Sequence, residues 1–310
     1  MTGPLALVDA ASLYFRAFFA LPDSLTAPDG TPVNAVRGFA DFIARILVDR
    51  KPSRLVACHD ADWRPAFRVA AIPTYKTHRV ADAKNNIEIV PDALSPQVPI
   101  IEALLDACGI AQAQAEGYEA DDVIGTLAAR EQADPVEVIS GDRDLFQTVR
   151  AEPTPVTVVY VGRGWAKAEA LGQAEIAARY GLPVATAGPA YADMAALRGD
   201  PSDGLPGVLG IGEKTAAKLI TRFGSLEGLV AAAAEPNSAV PQRWREALEA
   251  DRKYVAAAPR VVRVAVDAPV TIDRDDRVPA KPIDLDRVRE LQDRWNLSAP
   301  VDRLVQAITG

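Results

Sequence analysis

Short apolar runs alternate with amphipathic stretches along the first half of the chain. The runs at 5–8, 54–58 and 136–139 are mostly aliphatic and are typical of buried strands. Residues 154–160 predict a further pair of short strands or a hairpin. The stretches between these runs place apolar residues at helical spacing, and Asn34 is suited to cap one of them. They predict helices, the first of them a helix or a turn, over residues 12–19, 34–48, 91–108 and 118–130.

This alternation indicates an α/β domain with a mostly parallel central sheet flanked by helices. The pattern changes after about residue 170, where alanine-rich helical spacing continues to about residue 256. Residues 257–283 are rich in Val, Pro and Asp and predict an extended connection, and residues 284–308 predict one or two short helices. We therefore expect an α/β domain over 1–180 and a helical region over 181–310.

Composition narrows the class of protein. The chain has 310 residues, 49% of them apolar and 25% charged, which suits a soluble globular protein and excludes disorder. Its formal charge of −8 at first argues against a nucleic-acid partner. Cys58 and Cys108 are its only cysteines, so the sequence carries no disulfide framework and no zinc ligand set. We expect a cytoplasmic protein without a signal peptide, membrane span or membrane partner.

Acidic residues mark a candidate metal site. Asp9, Asp60 and Asp142 each follow a predicted strand, and the carboxyl ends of parallel strands meet at one edge of a sheet. Glu119 and Asp122 are three residues apart at a helix start and should share a face, with Asp121 to one side. The complete set of candidate metal ligands is Asp9, Asp60, Glu119, Asp121, Asp122, Asp142, Asp144, Asp200 and Asp203.

An all-carboxylate set favours hard cations such as Mg²⁺ or Mn²⁺ over zinc. Two ions about 4 Å apart would offset the repulsion among so many acids. The alternative is that the acids are structural, because Asp is common in turns and acids are favoured in the first turn of a helix. A structural role is a good explanation for any one of these acids, but a poor one for all nine together. Several of them follow buried strands, where a charge is costly unless it is paired.

Two basic segments could hold a nucleic-acid backbone. Residues 207–220 form a glycine-punctuated turn that leads into a predicted helix, where backbone amides can bind phosphate. Lys214, Lys218 and Arg222 follow at intervals of four and give one basic stripe. Residues 64–84 are also basic and include an aromatic residue. Each segment by itself is equally typical of a solvated surface.

Six motifs together resemble the 5′-nuclease family, which comprises flap endonucleases, phage 5′-exonucleases and the N-terminal nuclease domain of bacterial family A DNA polymerases. They occur in the family's order and span about residues 5–225. In chain order they are LVDAASLYFRAF (7–18), HDADWRPAFR (59–68), YKTHR (75–79), GYEADDVIGTLA (117–128), SGDRDLFQ (140–147) and GDPSDGLPGVLGIGEKTAAKLI (199–220).

The resemblance implies a PIN-like or Rossmann-like nuclease domain with a helical arch over about 63–90. It also implies a helix–three-turn–helix element over about 204–224, with a K⁺ ion at its glycine hairpin. Two or three Mg²⁺ or Mn²⁺ ions would be held by the acids, and Lys76 and Arg79 would be the catalytic basic pair on the scissile phosphate. The inner acids would be Asp9, Asp60, Glu119, Asp121 and Asp142, the outer ones Asp144, Asp200 and Asp203, with Asp122 in neither group. The implied DNA-binding residues are Arg64, Arg68, Tyr75, Lys76, Arg79, Gly207, Gly210, Gly212, Lys214, Thr215 and Lys218.

The implied function is a structure-specific 5′ nuclease, both 5′-3′ exonuclease and flap endonuclease, that hydrolyses phosphodiester bonds by two-metal catalysis. Its partners would be DNA with a 5′ flap, 5′ overhang or nick, including RNA-primed ends, in replication and repair. We expect a free-standing monomer, nucleoid-associated when it acts. Nine acids in one site would also account for the negative charge, so the charge no longer excludes DNA.

Two alternatives stay open. One is a PIN-like metal-dependent ribonuclease, which would lack the glycine-hairpin block, and the other is a non-catalytic structure-specific DNA-binding module, which would have lost acids. The chain departs from the family at Ala10 and Gly204, where Gly and Asn are usual.

Overall fold

Alternate residues of the first strand are buried on opposite sides of the sheet. The protein is described from a computed structural model that covers residues 3–82 and 84–310. Leu5 and Leu7 pack into one apolar core, whereas Ala6 and Val8 pack into a second. A strand that is covered on both faces lies at the centre of its sheet, as is usual for parallel α/β proteins.

Among the residues that the structure describes, seven strands form one sheet with a parallel centre, and two short strands form a separate hairpin. The strands are β1 (Leu5–Asp9), β2 (Arg54–Cys58), β3 (Val80–Asp82), β4 (Ile87–Glu88), β5 (Ala111–Gln114), β6 (Val136–Ser140), β7 (Val156–Tyr160), β8 (Glu169–Leu171) and β9 (Thr271–Ile272). The order across the sheet is β8-β7-β6-β1-β2-β5-β9, and only the edge strands β8 and β9 run antiparallel to their neighbours. The predicted fold class is thereby confirmed.

Helices cover both faces of this sheet. In chain order they are α1 (Ala10–Ala20), α2 (Asn34–Arg50), α3 (Ala66–Ala71), α4 (Val98–Cys108), α5 (Ala120–Arg130), α6 (Gln173–Tyr180), α7 (Ala187–Arg198), α8 (Glu213–Phe223), α9 (Leu226–Ala234), α10 (Gln242–Ala250), α11 (Arg252–Val262), α12 (Leu285–Trp295) and α13 (Ser298–Thr309). Helices α1, α2, α4, α12 and α13 share the core on one face. Helices α5 to α11 contribute to the core that continues from the other face.

The C-terminal tail returns to the α/β part of the molecule. Helix α13 packs against α2, and α12 packs against α4. Leu304 of α13 lies in the same buried core as Phe39 of α2. Strand β9 extends the sheet beside β5, so the predicted extended connection includes a short strand. We propose that the helical region is confined to about residues 181–270 and that the tail belongs with the α/β core.

Within its described residues, 63–82 and 84–90, the segment expected to form a helical arch contains a single short α-helix. Helix α3 is six residues long and is followed by a 3-10 turn, Thr77–Arg79, and the β3–β4 hairpin. Pro73 ends the helix, because a residue that precedes proline is disfavoured in the helical region and Ile72 is extended. The described part of the arch is therefore a compact strap rather than a long helix.

Two local expectations were also wrong. The segment 154–160 forms a single strand, β7, which pairs in parallel with β6, instead of a hairpin of its own. Asn34 does not cap α2, because its amide donates to the carbonyl oxygens of Phe18 and Leu21 at 2.8 and 3.1 Å. The cap comes from Gln97, whose carbonyl oxygen accepts from two amides of the first turn of α2.

Candidate metal centre and nucleic-acid interface

Strands β1, β2 and β6 end at one edge of the sheet, and an acid lies at the end of β1 and just after β2 and β6. Asp9 is paired in register with Cys58 of β2, and its neighbour Val8 is paired with Ile139 of β6. Asp9, Asp60 and Asp142 therefore reach the same edge, where they line one cavity of about 320 Å³. This is the meeting of acids that the sequence predicted.

Two serines fix the position of Asp9. The Asp9 carboxylate caps α1 by accepting from the Ser12 amide at 3.0 Å, and it accepts from the Ser140 hydroxyl at 2.5 Å. The Ser140 oxygen in turn accepts from the Asp142 amide at 2.8 Å. The sequence analysis missed both serines. Ser12 could have been found from the sequence, because it lies three residues after Asp9, at the spacing of a helix cap. Ser140 is distant in sequence and lies near Asp9 only because β1 and β6 pair.

Seven of the nine predicted ligands line this cavity. They are Asp9, Asp60, Glu119, Asp121, Asp142, Asp144 and Asp200. Asp203 lies beside the cavity and pairs with Arg79, at 3.2 Å between Oδ1 and Nη2. Phe15, Trp63 and Glu88 also line the cavity and were not predicted.

Five of the predicted ligands in the cavity, Asp9, Glu119, Asp121, Asp142 and Asp144, hold their protons more tightly than free carboxylic acids do. Burial raises the pKa of Asp9 to about 7, with Asp60 and Asp142 contributing through charge repulsion. Burial also raises the pKa of Asp121 well above its ordinary value, and Asp142 and Asp9 add to the effect. Burial also raises the pKa of Asp144 well above its ordinary value, and the negative charge of Asp142 adds to the effect. Such mutual repulsion is what a bound cation would offset.

The three acids at the start of α5 diverge. Asp121 lines the cavity, whereas Asp122 is turned away from it. Each carboxylate oxygen of Asp122 accepts from the Arg68 guanidinium at 2.7 Å, and the side chain is 1% exposed. The assignment of Asp122 as a metal ligand is therefore wrong, because both its oxygens are occupied by protein donors and none faces the cavity.

Two residues assigned to DNA contact are buried. Arg68 is 2% exposed and Tyr75 is 3% exposed, and the Tyr75 hydroxyl donates to Glu119 Oε2 at 2.7 Å. Neither side chain reaches the surface, so the DNA-binding prediction is wrong for both. Arg64 is partly buried and donates to the Tyr75 carbonyl oxygen at 2.7 Å, which stiffens the strap; its DNA role stays a prediction.

Lys76 and Arg79, for which the resemblance implies a catalytic role, lie at the acidic cavity. Both line it, and both are paired with acids that were themselves predicted ligands. The Lys76 ammonium pairs with Glu119 Oε1. Arg79 pairs with Asp203 and also donates to the Ser202 carbonyl oxygen at 3.0 Å. The strap thus places two positive charges at the cavity, each paired with a carboxylate.

The strap is joined to the loop that follows α7. The Lys76 amide donates to the Asp203 carbonyl oxygen at 2.9 Å, and the Thr74 hydroxyl donates to the Gly204 carbonyl oxygen at 2.8 Å. Gly204 has φ +71°, and a Cβ there would lie 2.2 Å from the Thr74 carbonyl oxygen. This contact explains why glycine stands where the family usually has asparagine, since a side chain would push the strap away.

A glycine turn follows this loop and leads into α8. Gly207 has φ +70°, and a Cβ there would lie 2.3 Å from the Arg198 carbonyl oxygen, so only glycine fits. Leu209 at the tip is 84% exposed. The inner face of α8 is buried, whereas its outer face is exposed and carries the predicted basic stripe. The exposed basic residues are Lys214, Lys218 and Arg222, with Thr215 partly buried beside them and Gly210 and Gly212 exposed in the turn.

The cavity has the donor chemistry of a site for hard cations. Its predicted ligands are all carboxylate oxygens, which suit Mg²⁺ or Mn²⁺. Across residues 3–82 and 84–310, no three acidic, histidine or cysteine side chains converge closely enough to hold one ion as they stand, as expected for like charges that repel. A larger cavity, of about 1230 Å³, lies among α9, α10 and α11 and is lined by none of the predicted site residues.

Two family models match the chain in succession. Residues 4–181 match the model described as 5′-3′ exonuclease, N-terminal resolvase-like domain. Residues 187–286 match the model described as 5′-3′ exonuclease, C-terminal SAM fold. The chain belongs to the 5′-3′ exonuclease family. It is a nuclease, an enzyme that hydrolyses phosphodiester bonds.

Curated relatives are similar in sequence to this exonuclease over almost its whole length. A 5′-3′ exonuclease of Mycobacterium tuberculosis is 55% identical over 99% of this chain and 98% of its own length. DNA polymerase I of Mycobacterium bovis is 36% identical over 98% of this chain, which spans 32% of the polymerase. The resemblance to the nuclease domain of family A polymerases is thereby confirmed.

A solved structure shares the exonuclease fold. A bacteriophage T5 flap endonuclease, described as a pseudo-enzyme–product complex with DNA and metal ions, superimposes with a TM-score of 0.62 at 17% identity. The match covers 98% of this chain and 97% of that one. Within the described residues, the exonuclease has no helix long and apolar enough to cross a membrane.

Proposed function

We propose that this exonuclease is a structure-specific 5′ nuclease that cleaves DNA near a 5′ end or at a junction of single and double strands. The observation that carries the proposal is the cavity, which eight carboxylates line together with Lys76 and Arg79. The loop that contributes Asp200 to this cavity also leads to the glycine turn and α8. A duplex held on α8 would therefore present its backbone to the cavity.

The catalytic roles that we propose are those the resemblance implies, and the position of these residues at the cavity supports them. Asp9, Asp60, Glu119, Asp121 and Asp142 would hold divalent ions, with Asp144, Asp200 and Asp203 placed further out. When bound, two such ions supply a water of lowered pKa and stabilise the leaving 3′-oxygen. Lys76 and Arg79 would neutralise charge on the scissile phosphate as it develops in the transition state. The product would carry a 5′-phosphate.

The substrates we propose are DNA with a 5′ flap, 5′ overhang or nick, including RNA-primed ends. The complex of the phage flap endonuclease with DNA and metal ions supports DNA as the partner and divalent metal as the cofactor. Removal of flaps and primers in replication and repair would be the cellular role. Contacts from α8 and the glycine turn would be to the DNA backbone rather than to bases, so the enzyme would select structure and not sequence. We also propose that a K⁺ ion binds at the glycine turn.

Divalent ions should stabilise the metal-free exonuclease, and more so at higher pH. Burial raises the pKa of Asp9 and of Glu119 to about 7, so the folded protein binds protons there more tightly than the unfolded chain. This tighter proton binding stabilises the folded protein fully below about pH 4, and the stabilisation is lost as pH rises through about 7. Because Mg²⁺ or Mn²⁺ binds the ionised acids, we expect it to raise Tm by several degrees at about pH 7.5 and by much less at about pH 5.5.

Differential scanning fluorimetry with and without Mn²⁺ across this pH range measures the effect. Asp142→Asn, which removes one ligand, should reduce the gain in Tm. A gain in Tm that is equal at both pH values would contradict binding at these acids.

The basic stripe on α8 should determine how tightly the duplex is held. Replacing Lys214 and Lys218 by Gln together removes two phosphate contacts, so we expect KM for a 5′-flap duplex to rise about tenfold or more. The slope of log KM against log salt should fall by about two, because each lost phosphate contact removes about one unit. Steady-state cleavage of a fluorescent flap duplex at several salt concentrations provides both numbers.

Lys281→Gln is the matched control, since Lys281 is exposed and precedes α12. It should leave KM and its salt dependence unchanged. An unchanged KM in the double variant would remove α8 from the duplex-binding surface. Cleavage of blunt duplex as fast as of flap duplex by the wild-type enzyme would overturn the structure-specific part of the proposal.

A further inference from the structure

A buried arginine joins three segments of the chain behind the acidic cavity. Arg68 lies on α3 and donates from each of its three guanidinium nitrogens. Nε donates to the Val261 carbonyl oxygen of α11 at 3.0 Å. Both Nη atoms donate to Asp122 at 2.7 Å, and Nη1 also donates to Glu119 Oε2 at 2.5 Å. A planar fork with this many fixed partners has one orientation available to it.

Asp122 holds Arg68 and is itself held by the backbone. Its Oδ1 accepts from the Ala265 amide at 2.8 Å, and its Oδ2 accepts from the Glu119 amide at 3.2 Å. These bonds come from two different segments and do not involve the arginine. Asp122 is therefore an anchor that is held in place by bonds other than those to Arg68.

The two oxygens of Glu119 have different surroundings. Oε2 accepts from the buried Arg68 and Tyr75 side chains, whereas Oε1 pairs with Lys76 at the cavity. Rotation about the last torsion of a glutamate is soft, so the plane of its carboxylate is set by its partners. Here two buried donors hold one oxygen inward and direct the other toward the cavity.

We propose that Arg68 is a positioning residue, which orients the Glu119 carboxylate and fixes the base of the strap, with Asp122 as its anchor. The charges support this assignment, because Arg68 and Lys76 balance Glu119 and Asp122 within one buried group. A stable arrangement of buried charges needs that balance. The inference rests on the proposed function, since Glu119 matters only if it binds a catalytic ion.

Arg68→Met tests the role, because methionine keeps the apolar stem and removes every donor. We expect kcat on a 5′-flap duplex to fall about tenfold to a hundredfold, as for partners that orient a metal ligand, while KM changes less than about threefold. Arg68→Lys keeps the charge without the fork and should recover only part of kcat. Calorimetric titration with Mn²⁺ in the absence of DNA gives a second readout, in which affinity should weaken by about tenfold or more.

Arg54→Met is the matched control for loss of an ion-paired arginine. Arg54 begins β2, at the opposite end of that strand from Asp60, and pairs with Glu131 and Asp276. It should lower Tm while leaving kcat and Mn²⁺ affinity unchanged. If Arg68→Met does not fold, Asp122→Asn serves in its place, since asparagine retains the volume and one acceptor and should lower kcat in the same direction.

The possible outcomes distinguish the positioning role of Arg68 from the proposed function. Wild-type kcat and Mn²⁺ affinity in folded Arg68→Met would overturn the positioning role, as would an equal loss in Arg54→Met. A wild-type enzyme that cleaves no 5′-ended substrate would overturn the proposed function instead. In that case Mn²⁺ affinity, compared between the wild type and Arg68→Met, still decides whether Arg68 orients a metal ligand.

Discussion

Asp142→Asn is expected to lower kcat on a 5′-flap duplex by about a thousandfold or more, the largest single effect we predict. Asp142 lines the cavity at the end of β6, and its own amide is fixed by the Ser140 hydroxyl. Asparagine has the same shape but places an N–H donor and no charge where a cation would bind. The loss therefore falls on chemistry rather than on the fold.

The fold should tolerate this change well. The Asp144 amide donates to Asp142 Oδ1 at 2.8 Å, and the asparagine oxygen can accept that bond. Burial raises the pKa of Asp142, and charge repulsion from Asp203 and Asp200 adds to the effect. Removing the charge of Asp142 should therefore stabilise the metal-free protein slightly.

Single-turnover cleavage and fluorescence anisotropy of a labelled flap duplex separate catalysis from binding. Binding of the duplex by Asp142→Asn should stay within a few-fold of wild type. Asp286→Asn, on the exposed surface of α12, is the control and should behave as wild type in both assays. Turnover by Asp142→Asn within tenfold of wild type would show that the cavity is not the catalytic site.

Lys76→Met is expected to lower kcat about a hundredfold, the second largest effect. The Lys76 ammonium lies at the cavity, paired with Glu119, and its side chain is 14% exposed. A partly buried charge acts through less solvent than a surface charge and stabilises a developing phosphate charge more strongly. Methionine keeps the apolar stem and removes only the charge.

Single-turnover rates at saturating enzyme measure this loss directly. Lys76→Arg should recover part of the rate, because a cation is restored with different geometry. Lys281→Met, at an exposed position, is the control for loss of one lysine charge. A rate for Lys76→Met within about threefold of wild type would remove this residue from the catalytic machinery.

The architecture could be predicted because its signals are local. The runs that became β1, β2 and β6 are short, apolar and followed by acids, so both the parallel sheet and the edge where Asp9, Asp60 and Asp142 meet followed from the pattern. Two short helices were also among the outcomes predicted for the tail. Nothing in the tail's own pattern showed that α13 would pack on α2, since an amphipathic helix does not specify its partner.

The errors arose where burial decides the role of a charged residue. Asp121 and Asp122 are adjacent acids, and only the orientation of α5 sends one to the cavity and the other to Arg68. Arg68 and Tyr75 lie in a basic segment that looked like a surface, but both are buried against Glu119. Composition shows how much charge a segment carries and does not show which side chains face inward.

The central claim is that the acidic cavity is a metal-dependent site for hydrolysis at 5′ ends of DNA. The most direct test is incubation of a 5′-labelled flap duplex with the wild-type enzyme and Mg²⁺ or Mn²⁺, followed by sizing of the labelled products. We expect labelled fragments cut at or next to the junction, none in EDTA, and none above background with Asp142→Asn. No cleavage with either metal, or cleavage that persists equally in EDTA or in Asp142→Asn, would contradict the account.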